Sequence, residues 1–417
     1  MPVHYAPALQ TDVYPVSGIC LGSTAAGIRK PGRLDLSVIT LTAGSTVAGV
    51  FTRNRYCAAP VQVCRRHLQR RPDIRALVIN TGIANAGTGQ SGLIAAQASC
   101  NALASLCGID PDQVLPFSTG VIMEPLPSER LCAALPQALA DLSSDHWIRA
   151  AQAIMTTDTL HKVASRQVLI DGSPITVTGM AKGAGMICPN MATMLAFIAT
   201  DAAISQDLLN RAVTDIADAS FNRITVDGDT STNDSFIVMA TGQSAGQFSS
   251  ADHPGWATIK AALCDVATEL AQAIIRDGEG ATKFIEIQVT GGQTRAECET
   301  VAHTIARSPL VKTAFFASDP NLGRILCAIG NAALHHPSLD NLDADRIKLW
   351  LGCATDEILV AEKGERASTY SETVAARIMQ ASQLTLRADL GRGNSSATTW
   401  TCDLSYDYVK INADYRS

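Results

Sequence analysis

A chain of 417 residues is too long for one ordinary hydrophobic core and points to two or three lobes. Hydrophobic residues make up 47% and charged residues only 17%, which argues against disorder and for surface buried between subunits. A net charge of −6 gives no electrostatic footprint for nucleic acid, and no apolar run approaches the roughly 20 residues that cross a bilayer.

The start, Met1-Pro2-Val3-His4-Tyr5, lacks a charged n-region and an apolar h-region, so no secretory signal is expected and the cytoplasm is the expected compartment. Arg65-Arg66-His67 with Arg70-Arg71 and Arg75 has no interleaved aromatics and reads as a solvated helix face or turn. Residues 76–79 form a short apolar strand ending at Asn80-Thr81-Gly82. Residues 90–107 read as an alanine-rich helix closed by Gly108. Pro116-Phe117-Ser118-Thr119-Gly120 has turn character. Ser128 with Glu129 opens a helix over 128–142, interrupted near Pro136.

Residues 167–170 and 175–178 form a hairpin joined by Asp171-Gly172-Ser173-Pro174, and 194–200 is a further strand. Ser205 caps a helix that runs to Ser220. Trp256, Ile259, Leu263, Val266, Leu270 and Ile274 recur at helical spacing and mark a core-facing stripe before Gly278. Ile285, Ile287 and Val289 alternate with polar residues as a half-buried strand does. Helices over 321–334 and 371–381 precede strands near 384–387 and 398–403. The mixture of hairpins and helices predicts layered α/β (α+β) structure with mixed sheets.

The most informative residues lie at the centre. Thr193 stands behind the small residue Ala192 and ahead of an apolar stretch, after the glycine-rich run Met180-Ala181-Lys182-Gly183-Ala184-Gly185-Met186-Ile187. Such a threonine is commonly a buried strand residue. It is also what a self-processing junction requires: its hydroxyl attacks the Ala192 carbonyl, the amide shifts to an ester, and water frees a new N-terminus. The freed threonine carries a nucleophile and, in its α-amine of pKa roughly 7.7–8, a base.

The run from Lys182 through Cys188-Pro189-Asn190-Met191-Ala192-Thr193-Met194 to Leu195 resembles the signature of the ornithine acetyltransferases, also called glutamate N-acetyltransferases. Other stretches match in the family's order: Asn54 to Val61, Ser118 to Ile122, Met155 to Thr159, Thr225 to Ser235, Arg276 to Lys283 and Asp407 to Ser417. The resemblance implies a helix–sheet–sheet–helix sandwich with a smaller C-terminal lobe. It also implies cleavage at Ala192-Thr193 into chains 1–192 and 193–417, assembled as an α2β2 heterotetramer. The reaction it implies moves an acetyl group from N-acetylornithine to glutamate through an acetyl ester on Thr193, in arginine biosynthesis, with no metal or organic cofactor. Some members also take the acetyl group from acetyl-coenzyme A.

By the same resemblance Thr119 and Gly120 form the oxyanion hole. Thr156 (or Thr157, which the motif does not distinguish), Lys182, Thr193, Glu279, Asn412 and Ser417 contact substrate. Each has an ordinary alternative: Thr119-Gly120 as a capped turn, Lys182 as a solvated loop lysine, Glu279 as part of a helix-stop turn between two glycines. An ammonium at Lys182 suits a substrate carboxylate, and a carboxylate at Glu279 suits a substrate ammonium.

Rival chemistries find little in the sequence. Lys182 lacks the glycine spacing of a phosphate-binding loop. Asp227-Gly228-Asp229-Thr230-Ser231-Thr232-Asn233 starts like a calcium loop but has Thr232 and Val238 where glycine and glutamate are needed, so a hydrogen-bonded turn network is expected. No HExxH motif or serine triad order is present. The twelve cysteines, Cys188 included, show no metal-ligand spacing and read as small hydrophobes. Ile83, Gly87 and Leu322 depart from the family, where asparagine, cysteine and tryptophan are usual. Two other readings share the fold: a self-processing aminopeptidase or amidase, in which water takes the acyl group, and a non-catalytic binding protein.

Overall fold

The computed structural model describes residues 2–70, 73–188, 194–354 and 356–414. Ala192, Thr193 and Ser417 therefore lie outside the described residues. The chain divides into two compact units, a larger one of Ala6–Asn222 and Thr230–Ile274, and a smaller one formed by the first few residues, Arg223–Asp229 and the chain from Ile275 on.

The larger unit contains two main sheets. The first orders Ile19–Thr24, Leu36–Leu41, Ala76–Asn80 and Val114–Ser118, with only the last pair parallel. The second orders Thr46–Phe51, Ser235–Ala240, Leu195–Thr200, Ser173–Lys182 and Lys162–Ile170. Alternation decides which way each strand faces. Leu77, Ile79, Leu115 and Phe117 share a core with Met180, Phe197, Ile237 and Met239 of the second sheet. Phe117 and Phe197 meet edge-to-face, with ring centroids 5.0 Å apart.

The opposite faces turn to helices. Leu36, Val38 and Val78 pack with Cys100 and Leu103 of the helix Gly89–Cys107 and with Leu131 and Leu135 of Ser128–Ala140. Behind the second sheet, Gln206–Ala219 lies on the Thr46–Phe51 and Ser235–Ala240 strands. A side chain at Gly179 would collide there with Ile198, and with Val266 and Leu270 of Trp256–Arg276. The expected helix–sheet–sheet–helix sandwich is thus the larger unit, with strands buried on both faces. Its second sheet takes strands from both sides of the Ala192-Thr193 bond, with Lys182 opposite Leu195. Chains cut at that bond would stay hydrogen-bonded within one sheet.

The smaller unit is a mixed seven-stranded sheet in the order Ile224–Thr225, Ser395–Cys402, Phe284–Gly292, Gln383–Asp389, Lys348–Cys353, Asp356–Glu362, Glu365–Arg366. Ile285, Ile287 and Val289 are fully buried against Val301 and Ile305 of the helix Arg295–Arg307 and Ile325 of Gly323–Asn331. This is the expected C-terminal lobe.

Several local expectations need correction. Ser128–Ala140 runs through Pro136 without a break, because its buried face (Leu131, Ala134, Leu135, Ala138) is held by packing that outweighs one missing hydrogen bond. The hairpin turn is only Asp171-Gly172, both at positive φ (51° and 78°), a two-residue turn whose twist suits the flanking strands. Pro174 pairs with Leu169, beyond the point where the next strand begins to pair at Val177, so its lack of an N–H costs nothing. Residues 114–118 form a fully buried strand rather than a turn, with Thr119 and Gly120 just past its end. Arg65, Arg66, His67 and Arg70 lie on the helix Ala59–Arg70, where Arg65 and Arg66 are exposed and His67 is buried. Among the described residues no helix is long and apolar enough to cross a membrane.

Candidate active site

The first cluster forms where two parallel strands end side by side, with Asn80 opposite Ser118. Asn80 organises it. Its Oδ1 accepts the Ser118 hydroxyl at 2.6 Å, its Nδ2 donates to the Ile83 carbonyl at 2.9 Å, and its own carbonyl accepts the Thr119 N–H at 3.0 Å. Val121 N–H bonds the Gly82 carbonyl and Ala84 N–H bonds that of Val121, closing the two loops on each other. Asn233, from a separate loop, donates to the Ser118 and Ala84 carbonyls at 2.9 and 2.6 Å and accepts from Thr232.

Within this frame Gly120 has φ +132°, and a Cβ there would stand 2.2 Å from the Gly82 carbonyl carbon. No other residue fits that position. The Thr119 N–H is consumed in holding the loop. Its hydroxyl, and the N–H of Gly120, find no hydrogen-bond partner among the described residues. A fixed hydroxyl and a fixed amide, side by side and unspent, are what an oxyanion requires.

The second cluster joins the loop that carries Thr156 to the end of the strand Ser173–Lys182. Asp158, its side chain wholly buried, accepts from Lys162 Nζ at 2.7 Å and from the Gly183 N–H at 2.7 Å through Oδ1, and from the Thr156 N–H at 3.0 Å through Oδ2. Burial would push this carboxyl up. The charges of Lys162 and Lys182, with the bond from Gly183, outweigh burial and hold it at about 2. The Arg33 guanidinium binds the carbonyls of Met155 and Thr156 from the other side. Lys182 itself is partly exposed.

A third loop meets the strand that follows Thr193. Ser235 N–H donates to the Met194 carbonyl at 2.8 Å, and the Thr230 hydroxyl donates to that of Cys188 at 2.8 Å. Asp234 is buried here, and its Oδ2 has no hydrogen-bond partner among the described residues. Burial drives its carboxyl well above the usual range, against the pull of Ser231, the Lys182 charge and Thr52.

In the smaller unit, buried Glu279 accepts from Asn412 Nδ2 at 2.7 Å. Gly280 beside it has φ +69°, and a Cβ would lie 2.5 Å from the Tyr408 nitrogen, so the terminal helix Tyr406–Ala413 approaches the glutamate through glycine. Tyr408 donates to Asp227 Oδ2 at 3.2 Å. Burial, then the Asp227 charge, raises its phenol.

Of the residues expected from sequence, Thr119 and Gly120 are adjacent and unspent, Thr156 and the Lys182-Gly183 step meet on Asp158, and Glu279 meets Asn412. Thr157 makes none of these bonds. Asn80, Asp158, Lys162, Asn233 and Asp234 join the site without a sequence motif that assigns them a role. Three of them lie inside the family-like stretches, which was the available signal. The departures fall in supporting positions. Ile83 bridges Thr119 and Val121, Gly87 sits at φ +66°, and Leu322 is buried beside the helix Gly323–Asn331.

Residues 20–417 match the ArgJ family, and the chain belongs to it: it is an ArgJ-family acetyltransferase of arginine biosynthesis. Among solved structures it is similar to the arginine biosynthesis bifunctional protein argJ of Bacillus halodurans, at 41% identity over 52% of this chain and 97% of that one, with a TM-score of 0.48. It is also similar to the ornithine acetyltransferase of Mycobacterium tuberculosis complexed with ornithine, at 33% identity over 44% of this chain and 98% of that one, with a TM-score of 0.39. The L-aminopeptidase D-Ala-esterase/amidase of Ochrobactrum anthropi matches at 12% identity over 67% of this chain and 90% of that one, with a TM-score of 0.40.

Proposed function

We propose that this chain transfers the acetyl group of N2-acetyl-L-ornithine to L-glutamate through an ester on Thr193, after cutting itself between Ala192 and Thr193. The freed α-amine of Thr193 takes the proton from its hydroxyl as the oxygen attacks the acetyl carbonyl. The tetrahedral oxyanion is met by the Thr119 hydroxyl and the Gly120 N–H. Collapse breaks the amide C–N bond, the proton passes to the departing amine, and ornithine leaves. Glutamate then attacks the ester with its own amine and restores the threonine hydroxyl. Lys182 receives a substrate carboxylate and Glu279 a substrate ammonium, with Thr156, Asn412 and Ser417 completing the contacts.

The observation that carries this reading is the pair of unspent donors at Thr119 and Gly120, held in place by buried hydrogen bonds. Chains 1–192 and 193–417 would work as an α2β2 assembly in the cytoplasm, with threonine oxygen as the only acetyl carrier. With acetylornithine and glutamate both varied, initial-rate plots should be parallel, since ornithine departs before glutamate arrives. Intersecting lines would contradict the covalent carrier. Formation of N-acetylglutamate from acetyl-coenzyme A without acetylornithine separates a bifunctional enzyme from one that only recycles.

A further inference from the structure

We propose that Asp158 is a positioning residue: paired with buried Lys162, it sets the Lys182-Gly183 step and the Thr156 loop relative to each other. The inference rests on the reading of Lys182 as the substrate-carboxylate contact. Its geometry is specific. One carboxylate takes three donors from three places: the Thr156 N–H, the Gly183 N–H and Lys162 Nζ. The first two belong to the segments that would bind substrate. The third is a cation whose side chain is wholly buried.

This division of labour explains why a lysine is buried here at all. A carboxylate placed to hold Gly183 and Thr156 also lies within reach of the Lys182 charge. Buried as it is, it needs a positive partner in direct contact. Lys162, at 2.7 Å, supplies that partner. Gly183 has φ +151°, which other residues rarely adopt, and a Cβ there would meet Ile187 at 2.9 Å. Lys182 is paired with Leu195, at the start of the strand that leads from Thr193. A shift at Asp158 reaches the substrate cation through one hydrogen bond and one peptide step, and misplacement of about 1 Å can cost about 10²-fold in rate.

The test uses the full chain. Asp158→Asn removes the negative charge that pairs with buried Lys162 and should lower stability. Asp158→Asn with Lys162→Met removes both charges and should regain most of the melting temperature. If Asp158 positions the site, the double variant keeps KM for acetylornithine and glutamate raised about tenfold or more, with kcat changed less. If the pair is only structural, KM returns to the wild-type value along with the melting temperature, and the inference is overturned. Lys182→Ala is the control. Unchanged KM in that variant would remove the Lys182 assignment, and the inference with it. Raised KM in Lys182→Ala beside wild-type KM in the double variant would overturn the positioning role alone.

Discussion

Two buried aspartates of the larger unit, Asp158 and Asp234, meet opposite fates within reach of the same lysine, Lys182. On the Thr156 loop, Asp158 accepts from two backbone N–H groups and a buried ammonium, and against burial the charges of Lys162 and Lys182, with the bond from Gly183, hold its carboxyl at about 2. On the loop before Ser235, Asp234 is equally enclosed, yet one oxygen has no partner among the described residues, and burial drives its carboxyl well above the usual range. Burial is common to both. What separates them is the buried ammonium of Lys162, which of the two is in direct contact with Asp158 alone. One loop is built around a fixed negative charge, and the other is built to avoid one.

The largest effect that would break this contrast is on stability. Asp158→Ala removes the carboxylate that pairs with buried Lys162 and should cost about 3–5 kcal/mol in a urea titration. A loss below about 1 kcal/mol would mean that the buried pair adds little to stability.

A second experiment uses the immediate neighbour of Asp234. Asn233 holds the Ser118 and Ala84 carbonyls beside the proposed oxyanion donors. Asn233→Ala should lower kcat/KM by about 10²-fold or more, with the circular dichroism spectrum unchanged, because a displaced donor loses its aim. Wild-type kinetics would show that the donors are held without it.

Acid titration sharpens the comparison further. The Asp158 carboxyl is lowered on folding, so it adds stability above pH 3.8, and that stability is lost as the pH falls toward about 2. The difference between wild type and Asp158→Asn should therefore shrink over this window, by up to roughly 2 kcal/mol. The Asp234 carboxyl is raised, so its contribution is full below pH 3.8 and lost as the pH rises above it. Asp234→Asn should thus compare better with wild type as the pH rises. Slopes of the same sign in the two variants would erase the distinction.

The smallest effect is expected at neutral pH. Asp234→Asn should lie within about 1 kcal/mol of wild type or be more stable, since it removes a carboxyl that burial disfavours in its charged form. A melting-temperature loss equal to that of Asp158→Ala would contradict the account.

Neither aspartate's role was legible in the sequence. Asp158 and Lys162 are four residues apart, a spacing that brings side chains together on a helix, but here a loop and a strand start bring them together. Gly120 could be read as a turn glycine, whereas its need comes from the Gly82 backbone, which only the fold sets against it. The helix Trp256–Arg276 was legible because one face is buried and the stripe shows. Strands such as Leu36–Leu41 and Val114–Ser118 were not, because burial on both faces removes the period-two signal. The pairing of the smaller unit's Glu279 with Asn412 depended on a helix returning from the far end of the chain.

The central claim is that Thr193, freed by cleavage, carries the acetyl group. Mass spectrometry of purified, active protein incubated with acetylornithine alone tests it most directly. The account predicts two chains, residues 1–192 and 193–417, the second with one acetyl group on Thr193 that disappears when glutamate is added. An active, uncut chain, or active enzyme whose Thr193 never gains an acetyl group, would contradict it.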